Sequence, residues 1–283
     1  MSQTLTEIGF DLEEAERNLI TEDDEPVDNM FSAKQQRLLV EPLYASWTPP
    51  PGEGIAGGSR DFLADANVGI FFSVGEQPLV PDMFLSLDVK VDPEWIAEQH
   101  RSYFVWRFGK VPDLAVEIVS NREGGEMEYK RKRYAQIGVT YYVVYDPYRI
   151  LKGDDLYIYE IGFGKRYQRR DDPILPGVGL GVTVWQGIYE GGEAPWLRWC
   201  DEKGNLIATG KERAGEAEHR AGEAEHRAGE AEHRAGEAER RVIKAERRAS
   251  KAERLAADEA EARHRAESEL ARLREELEQL RQT

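Results

Sequence analysis

The chain has 283 residues, and its 54 acidic side chains outnumber 38 basic ones for a net charge of −16. That excess argues against a passive nucleic-acid coat, which is normally basic. One cysteine, Cys200, excludes an internal disulfide and fits a reducing compartment. No basic-then-apolar leader and no apolar run near ~18 residues occurs, so secretion and membrane spanning are disfavoured and a cytoplasmic location is expected.

In chain order, residues 1–28 hold ten acids and one base, Arg17. Like charges repel and little apolar surface offsets the ordering entropy, so this stretch reads as a flexible acidic arm. Residues 29–206 read as one mixed domain. A helix is expected near 32–46, with Pro42 bending it or ending it early. The run GEGIAGG (52–58) follows three prolines and lacks a GK[ST] ending, so it reads as a loop and not a phosphate cradle. Strands are expected at 68–74, 81–91, 112–120, 140–146, 155–160 and 181–190, all rich in β-branched or aromatic residues and bounded by turn formers. Between them, 125–138 reads as a helix ending at Gly138. Strand, helix, strand across 113–146 predicts one parallel crossover within a mixed α+β sheet.

Residues 207–283 contain no aromatic side chain and repeat RAGEAE(H/R) every seven residues. Heptad positions a and d, starting at Ala214 and Ala217, are apolar except Arg263 and Glu259, which predicts a left-handed coiled-coil helix. Position g carries Arg213 through Arg248 and position e carries Glu218 through Glu253; near the C-terminus Glu269 and Glu276 at g face Arg274 and Arg281 at e. Each g residue thus meets an opposite charge at the e position five residues on in a parallel copy, so a parallel homodimer through 214–280 is the simplest expectation. A single charged helix held by i,i+4 pairs is the other reading. His219, His226 and His233 lie ~10 Å apart on the outward f position, too far to share one ion.

The chemistry centres on two acids and a lysine. Glu117 stands in the middle of a strand that reads as buried on both faces, so it needs a cation or a proton. The helix that follows offers Lys130. Asp82 stands at the start of the 81–91 strand, on one face with Phe84, Ser86 and Asp88. Two carboxylates suit a hard cation such as Mg²⁺ or Mn²⁺, and a lysine beside them offsets developing charge or orients a water, which together suit phosphodiester hydrolysis. A structural ion pair is the competing reading. Asp113, about 13 Å along the strand from Glu117, belongs either to the site's rim or to a strand-end hydrogen bond. Glu126 is a possible supporting partner or a favourable first-turn charge. The run containing Lys165, Arg166, Arg169 and Arg170 is the candidate contact to a DNA backbone, against an ordinary charged hairpin. The tryptophans 185, 196 and 199 read as core anchors, and Cys200 as inert packing.

The ordered set VPD (80–82), PDLAVEIVS (112–120), Lys130, Tyr134, GV (138–139), YYVV (141–144) and DP (146–147) resembles the restriction-endonuclease domain of the Uma-two family, within the PD-(D/E)XK nuclease superfamily. The resemblance spans roughly residues 30–190. It implies a restriction-endonuclease-like α/β fold and Mg²⁺-dependent cleavage of DNA, with Asp82 and Glu117 as the paired acids. The superfamily's usual lysine position holds Val119 here, and the family pattern moves the lysine to Lys130. Glu126 stands where the family commonly has Asp. A catalytically silent binding module recruited through the coiled coil is the alternative function.

Overall fold

A computed structural model of the chain describes residues 29–52, 60–91, 102–120 and 126–281. The acidic arm expected at 1–28 and the glycine-rich run after Gly52 lie outside the described residues.

Helix α1 (Met30–Ser46) begins at Asn29, whose side-chain oxygen accepts from the Ser32 amide at 3.0 Å and satisfies one otherwise orphaned donor. Gln35, Leu38, Leu39 and Leu43 form its buried face. Pro42 sits inside the helix without ending it. The two-residue strand β2 (Ile70–Phe71) follows β1 (Phe62–Asp65), and β3 spans Met83–Leu87. After β4 (Tyr103–Phe104) and the short α2 (Val105–Phe108) comes β5 (Leu114–Ile118). Helix α3 (Glu126–Ile137) then crosses over to β6 (Tyr141–Tyr145), followed by β7 (Leu156–Gly162), β8 (Arg166–Arg170), β9 (Ile174–Leu175), β10 (Leu180–Tyr189) and β11 (Gly192–Cys200).

Six strands form one mixed sheet in the order β1-β3-β5-β6-β7-β8. β5 and β6 run parallel, as the crossover through α3 requires, and every other neighbouring pair is antiparallel. The three central strands β3, β5 and β6 are buried along their whole length, which explains their near-continuous apolar sequence. One face packs Met83, Leu85, Val116 and Val143 against Leu39 and Leu43 of α1 and against Val182, Leu197 and Trp199 of the β10–β11 hairpin. The other packs Phe84, Ala115, Val119, Tyr142 and Val144 under Tyr134 of α3 and beside Ile70 and Tyr103. Gln35 ties α1 to the hairpin: its side-chain amide donates to the Leu197 carbonyl at 2.8 Å, and its side-chain oxygen accepts from the Leu197 amide at 2.9 Å. It completes the backbone pairing of β11 as a neighbouring strand would.

Several element boundaries differ from the sequence expectation. The 68–74 run keeps strand geometry only at Ile70–Phe71. The 81–91 run ends at Leu87, because Asp88 turns into the left-handed region at φ 58°. Strands β1, β4, β8, β9 and β11 went unrecognised. β8 is half charged and sits at the sheet edge, so neither hydrophobicity nor alternation marks it. β11 carries Pro195 and is held by its long register with β10 around a turn at Glu190–Gly191, both at positive φ. The 125–138 helix, by contrast, stops at Gly138, whose φ of 102° suits a helix terminus.

The chain divides into two compact units, one through Ala214 and one from Gly215. In the first, helix α4 (Gly210–Arg281) starts with a reciprocal cap: the Glu212 amide donates to Thr209 Oγ1 at 3.1 Å while the Thr209 amide donates to Glu212 Oε2 at 2.8 Å. Buried Arg198 adds a fork onto the Glu212 carboxylate at 2.8 and 2.6 Å. The second unit is the remainder of α4 from Gly215, about 100 Å of helix at ~1.5 Å per residue. Its seam residues Val242, Leu270, Leu273 and Leu277 are exposed in the single chain. Among the described residues no helix is long and apolar enough to cross a membrane.

Candidate active site

The antiparallel register pairs Met83 with Val116, so one step further sets Asp82 across from Glu117. Asp82 Oδ2 accepts from the Ile118 amide at 2.6 Å, fixing the carboxylate against the end of β5. Its Oδ1 accepts from Gln36 Nε2 at 2.9 Å. Gln36 is itself held by Asn67 through bonds of 3.1 and 3.2 Å.

Glu117 points to the face covered by α3 and is 3% exposed. Lys130 Nζ donates to its Oε2 at 2.9 Å, and the Tyr134 hydroxyl donates to its Oε1 at 3.0 Å. Lys130 and Tyr134 lie four residues apart on α3, so both reach inward from one helix face. Lys130 also donates to the Val80 carbonyl at 3.3 Å, which ties the ammonium to the segment leading into Asp82. Burial pushes the Glu117 carboxyl up to about 8; the Asp82 charge adds to this, while Lys130 and Tyr134 pull it down. Burial and the neighbouring Glu117 hold the Tyr134 hydroxyl well above its ordinary range.

Asp82 and Glu117 are the pair that could hold a metal. They stand opposite each other across the β3–β5 pair, and the Asp82 charge adds to the burial that raises Glu117, a conflict of the kind a divalent cation relieves. A carboxylate oxygen carries two lone pairs, so accepting one hydrogen bond does not by itself exhaust it. Among the described residues there is no group of three or more His, Cys, Asp or Glu able to hold an ion. A two-carboxylate set completed by waters and phosphate oxygens is how Mg²⁺ usually binds, so the donor set fits that ion.

Asp113 and the basic residues of the β7–β8 hairpin make their bonds to other partners than this cluster. Asp113 closes the far end of the β3–β5 pair, accepting from the Leu87 amide at 2.8 Å and from Lys110 at 2.6 Å. Glu126 opens α3, with its side chain outside the described residues. In the β7–β8 hairpin, Lys165 donates to the Gln136 carbonyl at 2.9 Å, Arg169 pairs with Asp154 and Arg170 with Glu160. Arg166 is exposed on the same edge strand. Trp196 and Trp199 are buried, Trp185 lies under Arg198, and burial pushes the Cys200 thiol up. Sequence reasoning missed Gln36 and Asn67. The available signal was two adjacent glutamines on an otherwise apolar helix face, since buried amides need partners.

Comparison with known proteins finds a family and a solved structure among its matches. A family model described as "Uma2: Putative restriction endonuclease" matches residues 26–172, which span α1 to α3 and the whole six-stranded sheet. A solved structure titled as a putative nuclease belonging to DUF820 from Anabaena variabilis ATCC 29413 is 17% identical, with a TM-score of 0.25, over 40% of this chain and 56% of that one. The match thus spans little more than half of that relative's length. No curated protein matches the chain.

Proposed function

The chain belongs to the Uma2 family of restriction endonucleases, and on that footing we propose that it is a Mg²⁺-dependent endodeoxyribonuclease acting through Asp82, Glu117 and Lys130. The observation that carries this reading is a nearly waterless glutamate sharing one lysine and one tyrosine, with a second anchored carboxylate across the strand pair. Asp82 and Glu117 would hold the cation. When bound, the ion polarises the scissile phosphate and acidifies a water. Gln36 and the Ile118 amide keep Asp82 oriented, and Tyr134 keeps Glu117 oriented, so neither carboxylate reorganises during reaction. The Lys130 ammonium offsets negative charge developing on the phosphoryl oxygens. The exposed β7–β8 edge, with Lys165 and Arg166, is the proposed backbone contact.

In this reading residues 29–206 form the nuclease domain, 1–28 an arm, and 207–283 a parallel coiled coil that pairs two copies. The exposed leucines near the C-terminus and the g-to-e charge complementarity support a second copy of this chain as the partner.

The test is nicking of plasmid DNA with Mg²⁺ by wild type, Asp82→Ala, Glu117→Ala and Lys130→Ala, with chelator as control. Wild-type cutting with a loss of at least about a hundredfold in each variant is expected. Persistent cutting by the variants removes this site from the chemistry. No cutting by wild type on varied DNA substrates favours the silent binding module instead.

A further inference from the structure

We propose that the wall of the sheet beside Glu117 carries a pocket for one unstacked nucleobase, so that the substrate is single-stranded or locally unpaired DNA. The inference rests on the nuclease reading above and names the substrate class of that same site. Along the sheet, Glu117 pairs with Val144 of β6, and Val144 pairs with Tyr157 of β7. These residues stand one and two strand spacings from Glu117, about 5 and 10 Å. Both line a cavity of about 240 Å³, together with Tyr142, Tyr159, Met127 and Arg131. Met127 and Arg131 sit three residues before and one after Lys130, so one face of α3 serves the acids and roofs the cavity.

The lining is largely aromatic, with polar groups at Glu128, Arg131 and the tyrosine hydroxyls. The Arg131 guanidinium lies 5.3 Å from the centroid of the Tyr159 ring, and Arg169 caps Tyr157 at 4.9 Å. Rings and guanidinium planes are surfaces on which bases stack. The decisive group is Tyr142. Its side chain is fully buried, it lines the cavity, and its hydroxyl has no hydrogen-bond partner among the described residues. A buried hydroxyl without a partner is costly, and here a ligand edge bearing a donor or acceptor would satisfy it. That edge belongs to a base more than to a phosphate, because the Arg131 charge at the cavity is matched by Glu128, itself paired to Lys132 at 2.9 Å, while the rings offer their area to a flat heterocycle. A phosphate held at Glu117 leaves the base of a neighbouring nucleotide within reach. A base inside a duplex is stacked and paired, so only one that has left the stack can enter a recess in the protein wall.

Binding is measured separately from cutting, using the full chain in chelator, a short fluorescent single-stranded oligodeoxynucleotide and its duplex. Tyr157→Ala and Tyr159→Ala should each weaken single-strand binding roughly five- to 150-fold, the range for losing one stacked base. Duplex binding should be weaker than single-strand binding and insensitive to both changes. Tyr142→Phe keeps the ring, so it should leave the melting temperature equal or higher while weakening single-strand binding roughly two- to tenfold. A purely packing role would not separate those two readouts. Equal single-strand affinity for wild type, Tyr142→Phe and Tyr157→Ala, or a preference for duplex, overturns the pocket. If those results accompany Mg²⁺-dependent cutting by wild type, the nuclease reading stands without it. If the pocket variants lose binding while wild type cuts no DNA with any divalent ion, the pocket stands and the nuclease reading falls.

Discussion

Glu117 is almost wholly removed from water, so its neighbours decide whether it is an asset or a burden to the fold. Lys130 is 20% exposed along its side chain and Glu117 4%, which makes this a nearly buried pair. Removing Lys130 takes away the charge that pulls the Glu117 carboxyl down, so Glu117 then holds a proton at neutral pH. Lys130→Met should therefore cost about 1.5–3 kcal/mol in urea denaturation, the worth of a buried hydrogen bond to a charged group. The double variant Glu117→Gln/Lys130→Met should recover most of that loss while remaining inactive. A double-mutant cycle reads the coupling directly, and stability that is additive across the two sites would contradict the pairing argument. Adding Mg²⁺ should raise the wild-type melting temperature, and Asp82→Ala should abolish the rise. At this scale Glu117 and Lys130 were legible in the sequence, because an acid in the middle of an apolar strand demands a partner and the following helix supplies one. Gln36, Asn67 and Tyr142 were not. Their roles depend on where α1 crosses the end of β3 and on which side of β6 stays unfilled, and neither is local in the chain.

Individual elements carry their own consequences. The start of α4 rests on Thr209, Glu212 and Arg198. Burial alone would raise the Glu212 carboxyl, but its bonds to Arg198 and Thr209 outweigh burial and hold it below the usual carboxylate range. A depressed carboxylate contributes stability that is present above its unfolded value and lost as pH falls through its folded value. Protection from hydrogen exchange at residues 209–213, taken relative to the intrinsic rate at each pH, should therefore fall in acid, below about pH 4. Glu212→Gln should exchange faster already at neutral pH, at a cost on the order of 2 kcal/mol, and should show less acid dependence; an unchanged acid profile would remove Glu212 from the cap. Within the tail, Gly215, Gly222, Gly229 and Gly236 face open space where a Cβ would stand. Replacing all four with alanine should stabilise the helix by about 3–4 kcal/mol in thermal melts followed by circular dichroism. The heptad made this element legible at full length, since its period is written every seven residues. The β8 and β11 strands were hidden for the opposite reason: pairing partners and sheet position, not composition, make them strands.

For the whole molecule, the proposed pairing of two tails predicts a melting temperature for α4 that rises with protein concentration. Arg220→Glu, Arg227→Glu and Arg234→Glu together would set like charges against Glu225, Glu232 and Glu239 of a parallel copy. Sedimentation should then show monomer, and exchanging those three glutamates for arginine in the same chain should restore the dimer. A dimer that persists in the first variant, or in a chain ending at Ala214, would leave the tail without this role. By itself the sequence determined the class of fold, the parallel crossover, the long heptad helix and the two residues that most needed each other. All of these follow from patterns readable over a few turns or one strand: alternation, seven-residue spacing and the cost of an unpaired buried charge. Only the tertiary structure decided the sheet order, the short and charged strands, the glutamine that steadies Asp82 and the aromatic recess beside Glu117. Those depend on which distant segments meet, and the energy that selects them resides in packing between elements and not in any one segment.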